Sequence, residues 1–306
     1  MSDTVIKCRG LTKAFGAQTV LSNLNLEIHS GQIVAIVGAN GCGKTTLMRC
    51  LLGLLRRTSG ESFIFGEDSW DLSADAKNRL GYVSQEFSLL PWMTVESFCN
   101  YTSSFYPAWD HAFVFSLISQ WDLPLKKRVS TLSGGQRQKL ATILAIGHHP
   151  ELLILDEPVA SLDPIARRQF LKTLIEFSTN RKQTILFSSH ITTDLERIAS
   201  HVLFLSQGHQ QYFGELDLLK ERCKRLRIYS QSLLPESFQL PGEVRCQTSG
   251  TTALVTTTQY TEDLQSTVER RWNARVQVED LNLEELFVEF SGMDKISCEP
   301  VEESVR

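Results

Sequence analysis

At 306 residues, with 42% hydrophobic and 22% charged side chains, the chain carries enough apolar material for about two globular domains. A formal net charge of −4 excludes a global attraction to nucleic acid. The seven cysteines, at 8, 42, 50, 99, 223, 246 and 298, form no CxxC pair, which argues against a disulfide framework or zinc ribbon and for reduced, cytosolic thiols. The start MSDTVIKCRG has no basic segment leading into an apolar stretch, so no signal peptide is expected. No run approaches the ~18 apolar residues of a membrane span, so work at a membrane would need another chain.

Residues 5–9 and 20–28 read as strands, the second alternating apolar Leu24, Leu26 and Ile28 with polar neighbours. Lys13 to Gly16 reads as a turn between them. Phe15, taken alone, reads as a core aromatic ahead of a ring that stacks on a base. An apolar strand, Ile33 to Val37, then runs into GANGCGKTT. Gly38, Gly43, Lys44 and Thr45 fit the P-loop spacing, in which backbone N–H groups cradle phosphate, the lysine reaches the β- and γ-phosphates and the hydroxyl suits Mg²⁺. The competing reading is a glycine turn with a surface lysine. Cys42 is either a thiol-sensitive point or, preferably, a tolerated small residue.

A helix carrying Leu47, Cys50, Leu51 and Leu54 is expected to end near Arg56 and Arg57. Short strands follow at 61–66 and 80–84, the second leading into Gln85 and the segment SLLPWMTV. Its Trp92 and Met93 suit either a core or an exposed patch. Residues 95–128 are largely helical in pattern and rich in aromatics, including FYPAWD at Phe105 to Asp110. At LSGGQ, Ser133 suits a helix N-cap, and the two glycines would expose N–H groups at the positive end of the helix dipole. That is either a second phosphate site or a well-capped helix. Leu152 to Leu155 suits a buried parallel strand, and it ends in Asp156 and Glu157, where open α/β sheets bind ligands. A further apolar strand at 184–188 ends before Ser189 and His190, and a strand at 202–205 completes the core.

Taken in order, GANGCGKTT, Gln85, LSGGQ, LLILDEP, SLD and SSH resemble the ATP-binding subunits of ABC transporters over about residues 3–218. LSGGQ alone is expected by chance in under about one chain in a thousand, so coincidence fails for the whole set. The resemblance implies an α/β fold: a P-loop NTPase core with an antiparallel β subdomain and an inserted helical subdomain at about 87–150. It also implies ATP and Mg²⁺ as cofactors and ATP hydrolysis as the activity.

The roles it implies reverse the first preference for Phe15, which now occupies the place of the adenine-stacking aromatic. Gly38, Ala39, Asn40, Gly41, Cys42, Gly43, Lys44, Thr45 and Thr46 cradle the triphosphate. Thr45, Gln85 and Asp156 serve the metal, Glu157 is the general base, His190 contacts the γ-phosphate, and Lys44 stabilises charge. Ser133, Gly134, Gly135 and Gln136 close over nucleotide held by another subunit, and Ser161 and Asp163 lie at the dimer interface. One copy of each motif implies a second nucleotide-binding chain, most simply a homodimer. A separate membrane permease would hold the protein on the inner face of the cell membrane, and no nucleic acid is expected.

After Gly208 the pattern changes. Residues 220–227 hold Lys220, Arg222, Lys224, Arg225 and Arg227 against Glu221. This run reads as a solvated helix or linker, with contact to anionic lipid as the second reading. A hairpin around Ser249 and Gly250, a helix near 261–273, the strand ARVQVED and a helix with Leu283, Leu286, Phe287 and Phe290 on one face complete a small α+β appendage at 219–293. A frayed tail is expected over 294–306. The appendage is similar to those of exporter ATPases whose membrane domains are separate chains. Export is therefore the expected direction, with an importer ATPase, or a soluble ABC ATPase outside transport, as alternatives.

Overall fold

A computed structural model describes residues 4–86, 89–181, 183–189, 191–235 and 238–291. The tail expected at 294–306 lies outside them. The chain divides into two compact units between Leu216 and Asp217.

The first unit opens with β1 (Thr4–Phe15) and β2 (Gln18–His29), an antiparallel pair. Lys13 to Phe15 therefore continues a strand, contrary to the expected turn. Irregularities in register at Cys8/Leu11 and Leu11/Lys13 let β1 bend and run on, and the chain turns only at Gly16 and Ala17. After β3 (Ile33–Val37) the P-loop leads into α1 (Lys44–Leu51). This helix is shorter than expected. Gly53, at φ 67°, turns the chain out of the helix, Leu54 N donates to Arg49 O, and Leu54 is left 62% exposed.

The β4 strand (Ser59–Ile64) pairs with β1, and the short β5 (Glu67–Asp68) pairs with β4. The resulting antiparallel sheet has the order β2-β1-β4-β5. A short α2 (Ala74–Asn78) precedes β6 (Leu80–Val83). The region expected to be helical over 95–128 forms α3 (Val95–Ser103) and α4 (His111–Gln120), and α5 (Gly134–Ile146) follows. Trp92 lies on the surface, 65% exposed, so the patch reading holds there.

The central sheet is completed by β7 (Leu152–Asp156), α6 (Pro164–Arg181), β8 (Thr184–Ser188), α7 (Thr192–Ile198), β9 (His201–Ser206) and β10 (His209–Glu215). Its order is β10-β9-β3-β8-β7-β6, with β10 antiparallel at one edge and the other strands parallel. Every residue of β7 and β8 is buried, as their unbroken apolar runs require when both faces of a parallel sheet are covered. The loops at the carboxyl ends of β3, β6 and β7 carry Gly38, Gln85 and Glu157 respectively. Strand order thus gathers motifs that are far apart in sequence.

In the second unit, α8 (Leu216–Arg222), which begins at the boundary, leads into β11 (Lys224–Ser230). Then come β12 (Glu243–Ser249), β13 (Thr252–Thr257), α9 (Glu262–Trp272), β14 (Ala274–Asp280) and α10 (Leu283–Ser291). The sheet order is β12-β13-β11-β14, all antiparallel. Leu226, Ile228, Val255, Val276 and Val268 form its core. The basic run is a helix end as far as Arg222, with Glu221 and Arg222 exposed as expected, but from Lys224 it becomes a paired strand and no solvated linker. Lys224 pairs with Asp280, Arg227 with Glu279 and Arg225 with Glu289, the last at 2.7 Å. These pairs occupy three cations that a lipid surface would need.

Among the described residues, no helix is long and apolar enough to cross a membrane. The six described cysteines are free thiols.

Candidate functional site

The glycine loop sits between the end of β3 and the start of α1. Gly38 is fixed by space: a Cβ there would lie 2.5 Å from Leu205 O. Gly43 caps α1 at φ 111°, a backbone geometry that a side chain would strain. Ala39, Asn40 and Gly41 lie exposed at the top of the loop, while Thr45 and Thr46 are half-buried in the first turn of α1. The Lys44 ammonium folds back over the loop, donating to Gly38 O at 2.8 Å and Ala39 O at 3.2 Å. A buried cation held, among the described residues, by neutral carbonyls is poised to exchange them for anionic oxygens. The α1 N-terminus, with no acidic residue in its first turn, adds its positive end to the same space. Burial pushes the Cys42 thiol up, against the opposing pull of Lys44, which favours the inert reading of that cysteine.

Two strands away, β7 ends in Asp156 and Glu157. Asp156 is fully buried; its Oδ1 accepts from Ser188 Oγ at 2.8 Å, and its Oδ2 has no hydrogen-bond partner among the described residues. Glu157 is 7% exposed and takes φ 51°, in the left-handed region, while its N–H donates to Ser188 Oγ at 3.0 Å. Ser188 thus fixes both acids. It was not among the residues expected at the site, although a hydroxyl ending an apolar strand is a readable signal. In register it stands directly opposite Asp156.

Phe15 is 49% exposed, with the Lys13 ammonium 4.5 Å above its ring centroid. Such a half-exposed ring is available for stacking and is no core aromatic. Ser133 caps α5 through a reciprocal pair: Gln136 N donates to Ser133 Oγ at 3.2 Å, and Ser133 N donates to Gln136 Oε1 at 3.1 Å. A Cβ on Gly135 would meet Ser161 O at 3.1 Å, so the helix start lies against the loop after β7. Asp163 Oδ1 accepts from Ile165 N and Ala166 N, each at 2.9 Å, and these bonds, that from Ala166 first, hold its carboxyl below the usual range. Gln85, Gly134 and Ser161 line one cavity of about 400 Å³, together with Glu86, Pro91 and Arg137 but with no P-loop residue. That cavity thus brings Gln85 beside residues of the LSGGQ and SLD motifs. His190 lies outside the described residues.

A glycine loop between a parallel strand and a helix, with an acid pair ending a strand two places away in the same sheet, defines a P-loop nucleoside triphosphatase. The sequence model for the ABC transporter family matches residues 21–160. The bacitracin transport ATP-binding protein BcrA of Bacillus licheniformis is 32% identical over 72% of this chain and 73% of its own length. The chain therefore belongs to the ABC transporter family, as an ABC-type ATPase subunit. The aliphatic sulfonates import ATP-binding protein SsuB of Pseudomonas fluorescens is 30% identical over 77% of this chain and 87% of its own, so the kinship includes import proteins. A solved ATP-binding subunit of an ABC transporter matches with a TM-score of 0.65 and 26% identity, covering 71% of this chain and 92% of that one.

Proposed function

We propose that the chain hydrolyses ATP as a dimer, with two nucleotides shared between P-loop and LSGGQ surfaces of opposite subunits, and drives export through a separate membrane permease. The acid pair carries the hydrolytic part of this reading. Asp156 keeps one carboxylate oxygen for a water-bound cation, and Glu157 is bent out of the strand to take a proton from the attacking water. Asp156 Oδ2, buried and without a hydrogen-bond partner among the described residues, and the Thr45 hydroxyl are hard oxygen donors of the kind Mg²⁺ takes, with Gln85 completing the proposed set. Bound Mg²⁺ would neutralise charge on the β- and γ-phosphates.

The chain's own groups supply the rest. Phe15 stacks on adenine, and the N–H groups of residues 38–46 hold the phosphate oxygens. Lys44 leaves the Gly38 and Ala39 carbonyls for the β- and γ-phosphates. His190 contacts the γ-phosphate. The partner's copy of Ser133–Gln136 closes the site, Ser161 and Asp163 lie at the subunit junction, and Gln85 passes the change on towards the permease. Such positioning and charge stabilisation are the main requirements of phosphoryl transfer.

Glu157→Gln tests the mechanism. The variant should bind MgATP, release phosphate at least about 100-fold more slowly and accumulate as an ATP-bound dimer. Hydrolysis at the normal rate would remove Glu157 as the base. The similarity to BcrA and the character of the C-terminal appendage support export, whereas the similarity to SsuB supports the second reading, import. Inside-out vesicles holding the chain with its permease separate them: ATP-driven accumulation in the lumen marks export, and ATP-driven loss of preloaded substrate marks import.

A further inference from the structure

The motif FYPAWD, unassigned by the site above, ends at Asp110, and this residue does more than start a helix. Its Oδ1 caps α4 by accepting from Phe113 N at 2.9 Å, and its N–H donates to Gly147 O at 2.9 Å, at the end of α5. The second carboxylate oxygen meets His149 Nε2 at 3.0 Å. His149 sits at φ 53°, a left-handed position where glycine or asparagine is the usual choice. Its ring is held between Phe113 of α4, at 4.7 Å between centroids, and Phe177 of α6, at 6.3 Å. Beside it, His148 Nε2 bonds Leu80 O at 2.9 Å and the ring stacks on Tyr106 at 3.9 Å. Gly147 packs closely here, since a Cβ on it would lie 2.7 Å from the Trp109 ring.

These contacts gather the ends of β6, α5 and α6 that lie opposite the ends carrying the motifs. From Leu80, β6 runs forward to Gln85. From Phe177, α6 runs back to Asp163 and Ser161. From Gly147, α5 runs back to Ser133 and the glycines. The helix has 13 residues, so it is about 20 Å long, and a tilt of ~10° about its C-terminal end would carry Ser133 about 3 Å. A displacement of that size breaks a hydrogen bond to a nucleotide.

We propose that Asp110 and His149 form a clasp that positions the LSGGQ end of α5 for a nucleotide held by the partner subunit. Both are positioning residues, since neither touches nucleotide. The inference rests on the shared-site dimer proposed above, and it predicts a defect in closing the dimer with none in binding ATP to one subunit.

Two variants isolate the clasp. Asp110→Ser keeps a good N-cap for α4 but is too short to reach His149, and His149→Asn keeps a residue tolerant of the left-handed backbone. In a Glu157→Gln background, ATP-driven self-association is measured by light scattering against protein concentration. Nucleotide affinity of the monomer is measured by fluorescent-nucleotide titration at low protein concentration. Each variant should weaken association by about five- to tenfold, with monomer affinity changed by less than about twofold. The double variant should be no worse than the more severe single one, because both remove the same bond. Unchanged association, or parallel loss of association and monomer affinity, overturns the clasp. Absence of ATP-driven association in the Glu157→Gln parent overturns the shared-site reading instead.

Discussion

Ser188 Oγ donates to Asp156 Oδ1 at 2.8 Å while accepting the N–H of Glu157 at 3.0 Å, so one hydroxyl fixes both acids of the site. Removing it leaves a buried acceptor and a buried donor without partners, each costing about 1–3 kcal/mol. Ser188→Ala should therefore lower both stability and turnover. Misorienting the acids should cost about tenfold or more in the rate of phosphate release. Thermal melts and steady-state phosphate release measure the two effects. A variant as active as the parent would show that Asp156 and Glu157 need no support from β8.

Glu157 gives the opposite balance between stability and activity. A non-glycine residue at φ 51° bears backbone strain of about 1–2 kcal/mol, partly offset in any glycine variant by greater entropy of the unfolded chain. Glu157→Gly should melt at the parent's temperature or slightly above it while losing hydrolysis by about 100-fold or more. A markedly less stable variant would mean that contacts of the Glu157 side chain outweigh the backbone strain.

The buried strands IVAIV and LLILD were legible because a fully covered parallel strand carries its signal in its own residues. The N-cap at Ser133 was legible too, because the N–H it accepts lies only three positions on; its reciprocal bond with Gln136 emerged from the structure. Ser188 was legible only as a hydroxyl ending an apolar strand; its bond to Asp156 depends on register, set across two strands 32 residues apart. Lys224, Arg225 and Arg227 were misread for a similar reason, since their partners lie at 279–289. The edge strand β10, HQQYFGE, has only half-buried and exposed residues and no apolar alternation to give it away. Leu54 looked helical by spacing, but Gly53 ended the helix first.

Phe15 offers a measurable test of nucleotide binding apart from hydrolysis. Its ring is half exposed, with the Lys13 ammonium over one face. Base stacking on an aromatic ring contributes about 1–3 kcal/mol, so Phe15→Ala should weaken ATP binding by at least about fivefold, and Phe15→Trp should retain it. Lys13→Gln removes the cation above the ring and should weaken binding by no more than about fivefold. Fluorescent-nucleotide titration of the three variants ranks them. Equal affinity in Phe15→Ala and the parent would leave Phe15 without a stacking role.

His148 gives the fold a specific dependence on acid. Burial drives its pKa from 6.5 down to about 4, partly opposed by the bond from Nε2 to Leu80 O. Because a carbonyl can only accept, Nε2 carries the proton of the neutral ring and Nδ1 is bare. The folded state therefore keeps His148 neutral at pH values where the unfolded chain already binds a proton. The sign follows from linkage: the neutral-histidine state is fully favourable above pH 6.5, and stability falls as the pH drops from 6.5 towards 4. Over that window the loss should reach about 3 kcal/mol, since each pH unit between the two values contributes about 1.4 kcal/mol. Denaturant unfolding at a series of pH values from 7 to about 4.5 measures it. His148→Gln, which presents an amide N–H in place of the imidazole and cannot titrate, should unfold with a shallower dependence on pH in that window. If parent and variant lose stability at the same rate on acidification, His148 is not the group that protonates on unfolding.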